Sequence, residues 1–218
     1  MLSLAWFMVF LALAMFLPAG RLGWTRGWVF FATYLVMRVA TTFYLWRTNP
    51  EVVVARSTVH RGNSRRDKVL FALLADLFVA MFLVAAVDDG RFHWSSVPLW
   101  LTAAGYVLFL IGMAGNACVL GVNKFAEPGA RIQAERGQKV VQTGPYAIVR
   151  HPLYATAFCL NGGIPLALGS FWALIPAAVA AGVLVMRTAS EDRMLHNGLA
   201  GYKEYAGRVR YRLLPGVW

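Results

Sequence analysis

Two short stretches hold the residues best suited to chemistry. The first, Gly144-Pro145-Tyr146-Ala147-Ile148-Val149-Arg150-His151-Pro152-Leu153-Tyr154, gathers a guanidinium, an imidazole and phenols around two prolines. Pro145 and Pro152 restrict their own φ and bias the preceding residue away from helix. Arg150-His151 is therefore expected to be extended at the mouth of a helix, with Pro152 in its first turn. A helix start presents unpaired N–H groups and favours negative charge. From the residues alone, two readings stand side by side. One is a small-molecule site. The other is an interfacial anchor, with Arg150 on headgroups and Tyr146 and Tyr154 at the boundary.

The second stretch is Arg187-Thr188-Ala189-Ser190-Glu191-Asp192. Arg187 and Glu191 are four apart, share a helix face and form a candidate ion pair. Glu191 and Asp192 are adjacent, so at least one points elsewhere, and acids near lipid are costly without partners. Either this is a solvated helix end, or a carboxylate here accepts from both hydroxyls of a ribose, as acids do in other nucleotide sites.

Elsewhere the chemistry is sparse. No two histidines or cysteines have metal-ligand spacing, so no metal is expected. There is no GxGxxG or P-loop pattern. His60, His93 and His196 read as solvated, and Cys118 and Cys159, inside apolar runs, read as packing residues.

The elements that must position these residues are membrane helices. The chain has 218 residues, 59% hydrophobic and 14% charged, further toward the apolar than a soluble domain. Candidate spans are 2–19, 27–45, 69–87, 97–120, 153–168 and 171–186. The last two form a tight hairpin loosened by Gly162, Gly163 and Pro165. The expected fold is an all-α transmembrane bundle of five to six spans. Residues 1–120 would hold the first four helices and a basic loop at 46–68. Residues 121–218 would hold a loop, the hairpin 152–186 and an amphipathic tail, forming a C-terminal cytosolic pocket. The first run has no basic residue ahead of it, which predicts a retained helix and not a cleaved signal.

The net charge of +11 is concentrated in three segments between spans: Arg47 to Lys68 (including Arg61), Lys124 to Arg150, and Arg187 to Arg212. That layout fits anionic headgroups as partners, with no nucleic acid, and places both termini and the site in the cytosol. Trp24, Trp28, Trp46, Trp94 and Trp100 fall near span ends, as interfacial anchors do. Two charges inside spans, Arg38 and Asp76, have opposite signs and are expected to pair.

The segment around Arg150-His151-Pro152, followed some forty residues later by an acidic pair, resembles the isoprenylcysteine carboxyl methyltransferase family and, more distantly, the phospholipid methyltransferases. The tail fits as well, in Gly201-Tyr202, Tyr205, Val209 and Leu213-Leu214-Pro215-Gly216. In the first half only Asn49-Pro50 and Arg56 match beyond the apolar spans. The resemblance implies S-adenosylmethionine as cofactor and a lipophilic acceptor, a prenylcysteine-like carboxylate among the candidates. It implies a cofactor pocket involving Lys139, Val140, Val141, Gly144, Tyr146, His151, Pro152 and Tyr154, with Glu191 near the ribose or substrate. The family has a second glutamate where this chain has Asp192, one methylene shorter.

A sulfonium methyl is already activated, so transfer to a carboxylate needs aim and dryness more than a base. Arg187 and Arg150 are the candidates to aim it, with Glu191 fixing Arg187 or the ribose. For an amine or thiol acceptor, His151 or Glu191 would serve as base. Two rival readings follow. A sterol-type membrane reductase would hold the 2′-phosphate of NADPH on Arg131, Arg136 and Lys139. A small transporter would depend on Arg38 and Asp76.

Overall fold

The computed structural model describes residues 2–57 and 64–218; His60 and Arg61 lie outside them. Among the described residues every regular element is helical. In chain order these are α1 (Leu2–Ala19), α2 (Thr25–Thr48), α3 (Pro50–Ser57), α4 (Arg65–Ala85), α5 (Leu99–Val122), α6 (Pro152–Ala167), α7 (Leu174–Gly198) and α8 (Tyr202–Arg208). A π-helical turn, Ala86–Phe92, extends α4, and short 3-10 turns occupy Ala134–Arg136 and Gly144–Ala147.

Among the described residues, four helices are long and apolar enough to cross a membrane: α2, α4 with its extension, α5 and α7. The other two expected spans are shorter. α1 has 18 residues and α6 has 16, so they reach about 27 and 24 Å against a hydrocarbon core of about 30 Å. α6 contains Pro165 and stops short of Gly169, whose φ of +79° turns the chain toward α7. In the other direction α7 runs past the expected end at Met186 to Gly198. The acidic pair therefore sits on a continuous helix and not in a tail that leaves one.

The chain forms two compact units, and each boundary between them falls within a helix. The first comprises Met1–Ala40, Ala75–Gly112 and Cys159–Ala181. Its core is aromatic: Phe30 meets Phe109 at 5.1 Å, Phe82 at 5.9 Å and Tyr34 at 6.1 Å. The helices α5 and α6 meet over small residues, since a Cβ on Gly163 would lie 2.6 Å from the Phe109 nitrogen and 2.8 Å from the Gly105 oxygen. Arg38 stands over the ring of Phe7 in this unit. Here too Asp88 accepts from the Ser95 N–H and from the hydroxyls of Ser95 and Ser170, while Asp89 accepts from Trp24 and Arg26.

The second unit comprises Thr41–Leu74, Met113–Phe158 and Gly182–Trp218. Leu45, Val52, Leu120 and Ala126 form its apolar cluster, with Val53 and Leu153 packed on it. The Asn49 amide donates to the Leu120 carbonyl at 2.7 Å, satisfying one of the free carbonyls at the end of α5. All of the candidate site lies in this unit.

Candidate functional site

Pro152 is the first residue of α6, and the two residues before it lie outside any helix. Their backbone is paired: the Arg150 N–H donates to the Tyr211 carbonyl and the His151 N–H to Arg212, both at 2.9 Å. This short ladder brings the tail against the mouth of α6 and holds both side chains over α7.

They converge on Asp192. Its carboxylate accepts from Arg150 Nε at 2.9 Å, Arg150 Nη2 at 3.3 Å, the Tyr202 hydroxyl at 2.9 Å and Arg212 Nε at 2.9 Å, and His151 Nε2 lies 3.1 Å away. Asp192 is buried, and so are Arg150 and His151. A buried charge is tolerable when paired and fully hydrogen-bonded, and here it is. Arg150 Nη1 donates to the carbonyls of Val209 and Arg210, so four of the five guanidinium N–H groups are engaged by α7 and the tail. His196 is half-buried, its ring edge-on to Tyr202 and its Nδ1 3.0 Å from the Asp192 carbonyl, so it supports this cluster where solvation was expected.

Beside the cluster lies a cavity that is partly open to solvent. Of the residues expected at a site, Lys139, Val140, Val141, Tyr146, Arg150, His151, Tyr154, Arg187 and Glu191 line it. Three do not. Gly144 takes a φ of +59° in the turn before Tyr146, Pro152 starts α6, and Asp192 is the hub of the charge cluster.

Arg187 and Glu191 share a helix face as expected, yet the ion pair between them is replaced by two other pairs. Arg187 Nε donates to Asp67 at 3.1 Å and Nη2 to the Pro128 carbonyl at 2.6 Å. Glu191 accepts from the Tyr154 hydroxyl at 2.5 Å. A neutral phenol fixes Glu191 without cancelling its charge, whereas a direct bridge to Arg187 would spend both groups on each other. The Arg187 guanidinium also lies over the rings of Phe71 and Tyr154, 5.3 and 5.7 Å from their centroids.

The far wall is set by Glu127 and Arg131, which pair through two bonds of 2.9 and 3.1 Å. Arg131 also reaches Glu135, and these acids raise its pKa, the bond to Glu127 first. Asn123 donates to the Tyr146 hydroxyl at 2.6 Å, and burial pushes that phenol well above its ordinary pKa. The Tyr205 hydroxyl donates to the Tyr146 carbonyl at 2.7 Å and is pushed up to about 12, chiefly by burial.

Residues 100–200 carry most of this geometry, and they match the family model described as phospholipid methyltransferase. Over that stretch the chain is similar to the phospholipid methyltransferase family. This is the family of isoprenylcysteine carboxyl methyltransferase-like membrane methyltransferases, and the match supports a membrane methyltransferase in general terms. No curated protein matches it.

Several residues around this cavity had no signal in the sequence. Asp67 sits among Arg65, Arg66 and Lys68, where an acid reads as one charge in a solvated basic run. Glu127 and Asn123 lie in a loop without periodicity. Tyr202 and Tyr205 line the cavity and were noticed only as part of the tail's resemblance. Their spacing of three on α8, with Tyr202 aimed at Asp192 and Tyr205 at Tyr146, is the one pattern that pointed inward.

Proposed function

We propose that this cavity binds S-adenosylmethionine and that the protein transfers its methyl group to a lipophilic acceptor bearing an anionic end, a prenylcysteine-like carboxylate being the leading candidate. The observation that carries this reading is the pair of groups on adjacent turns of α7. Glu191, held by Tyr154, offers a carboxylate to a ribose diol or an ammonium. Arg187, held by Asp67, offers a guanidinium to an anion.

The residues present suit the cofactor. Lys139–Val141 lines the cavity without regular secondary structure, so its N–H and C=O groups are not committed to a helix ladder. Phe125, Tyr146, Tyr154 and Tyr202 supply aromatic surface for a nucleobase. When bound, the cofactor supplies a methyl carbon on a sulfonium, taken up by the acceptor oxygen as the sulfur keeps the bonding pair. The chain then has to aim the acceptor and exclude water. Arg187 takes the first role, because the donors of Arg150 are occupied by Asp192 and the tail. A carboxylate acceptor is ionised at neutral pH and needs no base.

The reductase reading is weakened by the same geometry. Arg131 is paired with Glu127 and Glu135, and Arg136 lies near Glu127 and Glu51, which leaves Lys139 as the remaining cation of the trio proposed for a 2′-phosphate. In this proposal the basic segments keep both termini and the cavity cytosolic, with membrane lipids as their partners.

The test is mass spectrometry of lipid extracts after incubation with isotopically labelled S-adenosylmethionine, alongside thermal shifts with S-adenosylhomocysteine and NADPH. Stabilisation by the first ligand and a labelled lipid are expected. Stabilisation by NADPH alone would transfer the argument to the reductase.

A further inference from the structure

We propose that Asp67 is a positioning residue for methyl transfer: it sets the orientation of Arg187, and through it the anionic end of the acceptor. This rests on the reading of the cavity as a methyl-transfer site. It adds a residue that lies outside the stretch matching the family.

Ser64 caps α4, its hydroxyl oxygen accepting from the Asp67 N–H at 3.1 Å. An acid at this third position of a helix ordinarily reaches back to its own cap. Asp67 instead turns both oxygens away from α4. Oδ1 accepts from Arg187 Nε at 3.1 Å, and Oδ2 accepts from the Ala130 N–H at 3.0 Å. Both partners of the ion pair are buried, at 7% side-chain exposure each. The loop it holds is the cavity wall: Gly129 and Ala130 line the cavity, and the neighbouring Pro128 carbonyl accepts from Arg187 Nη2.

Arg187 is thus tied at Nε and at Nη2 and lies over the rings of Phe71 and Tyr154, contacts that together restrict its orientation. Nη1 takes part in none of these bonds, on a side chain that lines the cavity. A guanidinium fixed on one edge and open on the other is preorganised for an oxyanion. The shared chemistry is an anionic oxygen, from a free carboxylate or a lipid phosphate. The carboxylate of Asp67 is required because it accepts twice. An amide has one acceptor and one donor, so it would serve either Arg187 or Ala130 and present its NH₂ to the other donor.

The experiment uses the full chain in lipid with labelled S-adenosylmethionine and two acceptor probes: a farnesylcysteine with a free carboxylate, and phosphatidylethanolamine vesicles. Asp67→Asn is expected to raise KM for the accepted probe about tenfold, a change worth about 1.4 kcal/mol, with S-adenosylhomocysteine affinity changed by less than about threefold. Arg187→Ala should shift KM the same way. The double variant should be no worse than Arg187→Ala alone, since both act through one guanidinium. Which probe responds identifies carboxylate or phosphate as the anion. A wild-type KM in Asp67→Asn, or losses that multiply in the double variant, would overturn the proposal. If Asp67→Asn no longer binds S-adenosylhomocysteine, KM is read in Asp67→Glu, which keeps both oxygens but displaces them; a wild-type value there overturns it equally. Failure of the unsubstituted protein to bind S-adenosylhomocysteine or to label either probe overturns the methyl-transfer reading itself.

Discussion

The hydroxyl of Tyr154 on α6 donates to the carboxylate of Glu191 on α7 at 2.5 Å. This bond leaves Glu191 its charge while fixing where it points, and it joins the two stretches in which the sequence concentrates its chemistry.

Tyr154→Phe should therefore weaken S-adenosylhomocysteine binding. A hydrogen bond to a charged group contributes about 1.5–3 kcal/mol, so affinity is expected to fall roughly tenfold or more. Glu191→Ala should cost at least as much. Calorimetric titration of the folded variants checks both, and undiminished affinity in both would remove Glu191 from the site.

Asp192 calls for a different readout. Its removal leaves Arg150 and Arg212 facing each other without their common acceptor, and breaking a buried pair typically costs about 3–5 kcal/mol. Asp192→Ala is expected to lower thermal stability sharply while membrane insertion persists. Arg212→Ala, on the outer side of the cluster, should cost much less. Equal losses from the two would show that the cluster is not organised on Asp192.

His151→Ala combines the two effects. The ring lines the cavity and stands 3.1 Å from Asp192, so cofactor affinity should fall with a smaller loss of stability than in Asp192→Ala. Parallel thermal melts with and without S-adenosylhomocysteine separate the terms. A variant that melts like Asp192→Ala, or that keeps its full ligand-induced shift, would contradict this assignment.

Tyr205 links the site to pH. Its hydroxyl pKa rises from 10 to about 12 on folding, chiefly through burial. The folded chain thus holds this proton more tightly than the unfolded chain. The resulting stabilisation is complete below pH 10 and is lost as pH rises from 10 through 12. Tyr205→Phe should lower stability by about 1 kcal/mol near neutral pH, for the bond to the Tyr146 carbonyl. It should also lose stability less steeply between pH 10 and 12 than the parent. Identical slopes would show that this phenol does not contribute.

In the first unit, Gly163→Val should destabilise without touching the site. Any Cβ at this position comes within 3 Å of the α5 backbone, which cannot yield as a flexible side chain does. A loss of about 1–3 kcal/mol or more is expected, measured by denaturation, with S-adenosylhomocysteine affinity unchanged in the folded fraction.

What the sequence determined by itself is the class of protein and the two stretches that carry its chemistry. Apolar runs of spanning length, basic segments between them, and prolines that force Arg150-His151 out of helix are local properties, readable because they depend on composition and on neighbours in the chain. The fate of each charge was decided by tertiary structure alone. Arg187 and Glu191 have the spacing of an ion pair, but Asp67 and Tyr154 offer each a partner from another element. Asp192, one methylene shorter than the glutamate the resemblance led one to expect, is the hub on which two arginines, a histidine and a tyrosine from three separate segments converge. Pairing of buried charges depends on which donors and acceptors arrive within about 3 Å, and no pattern along the chain encodes that distance.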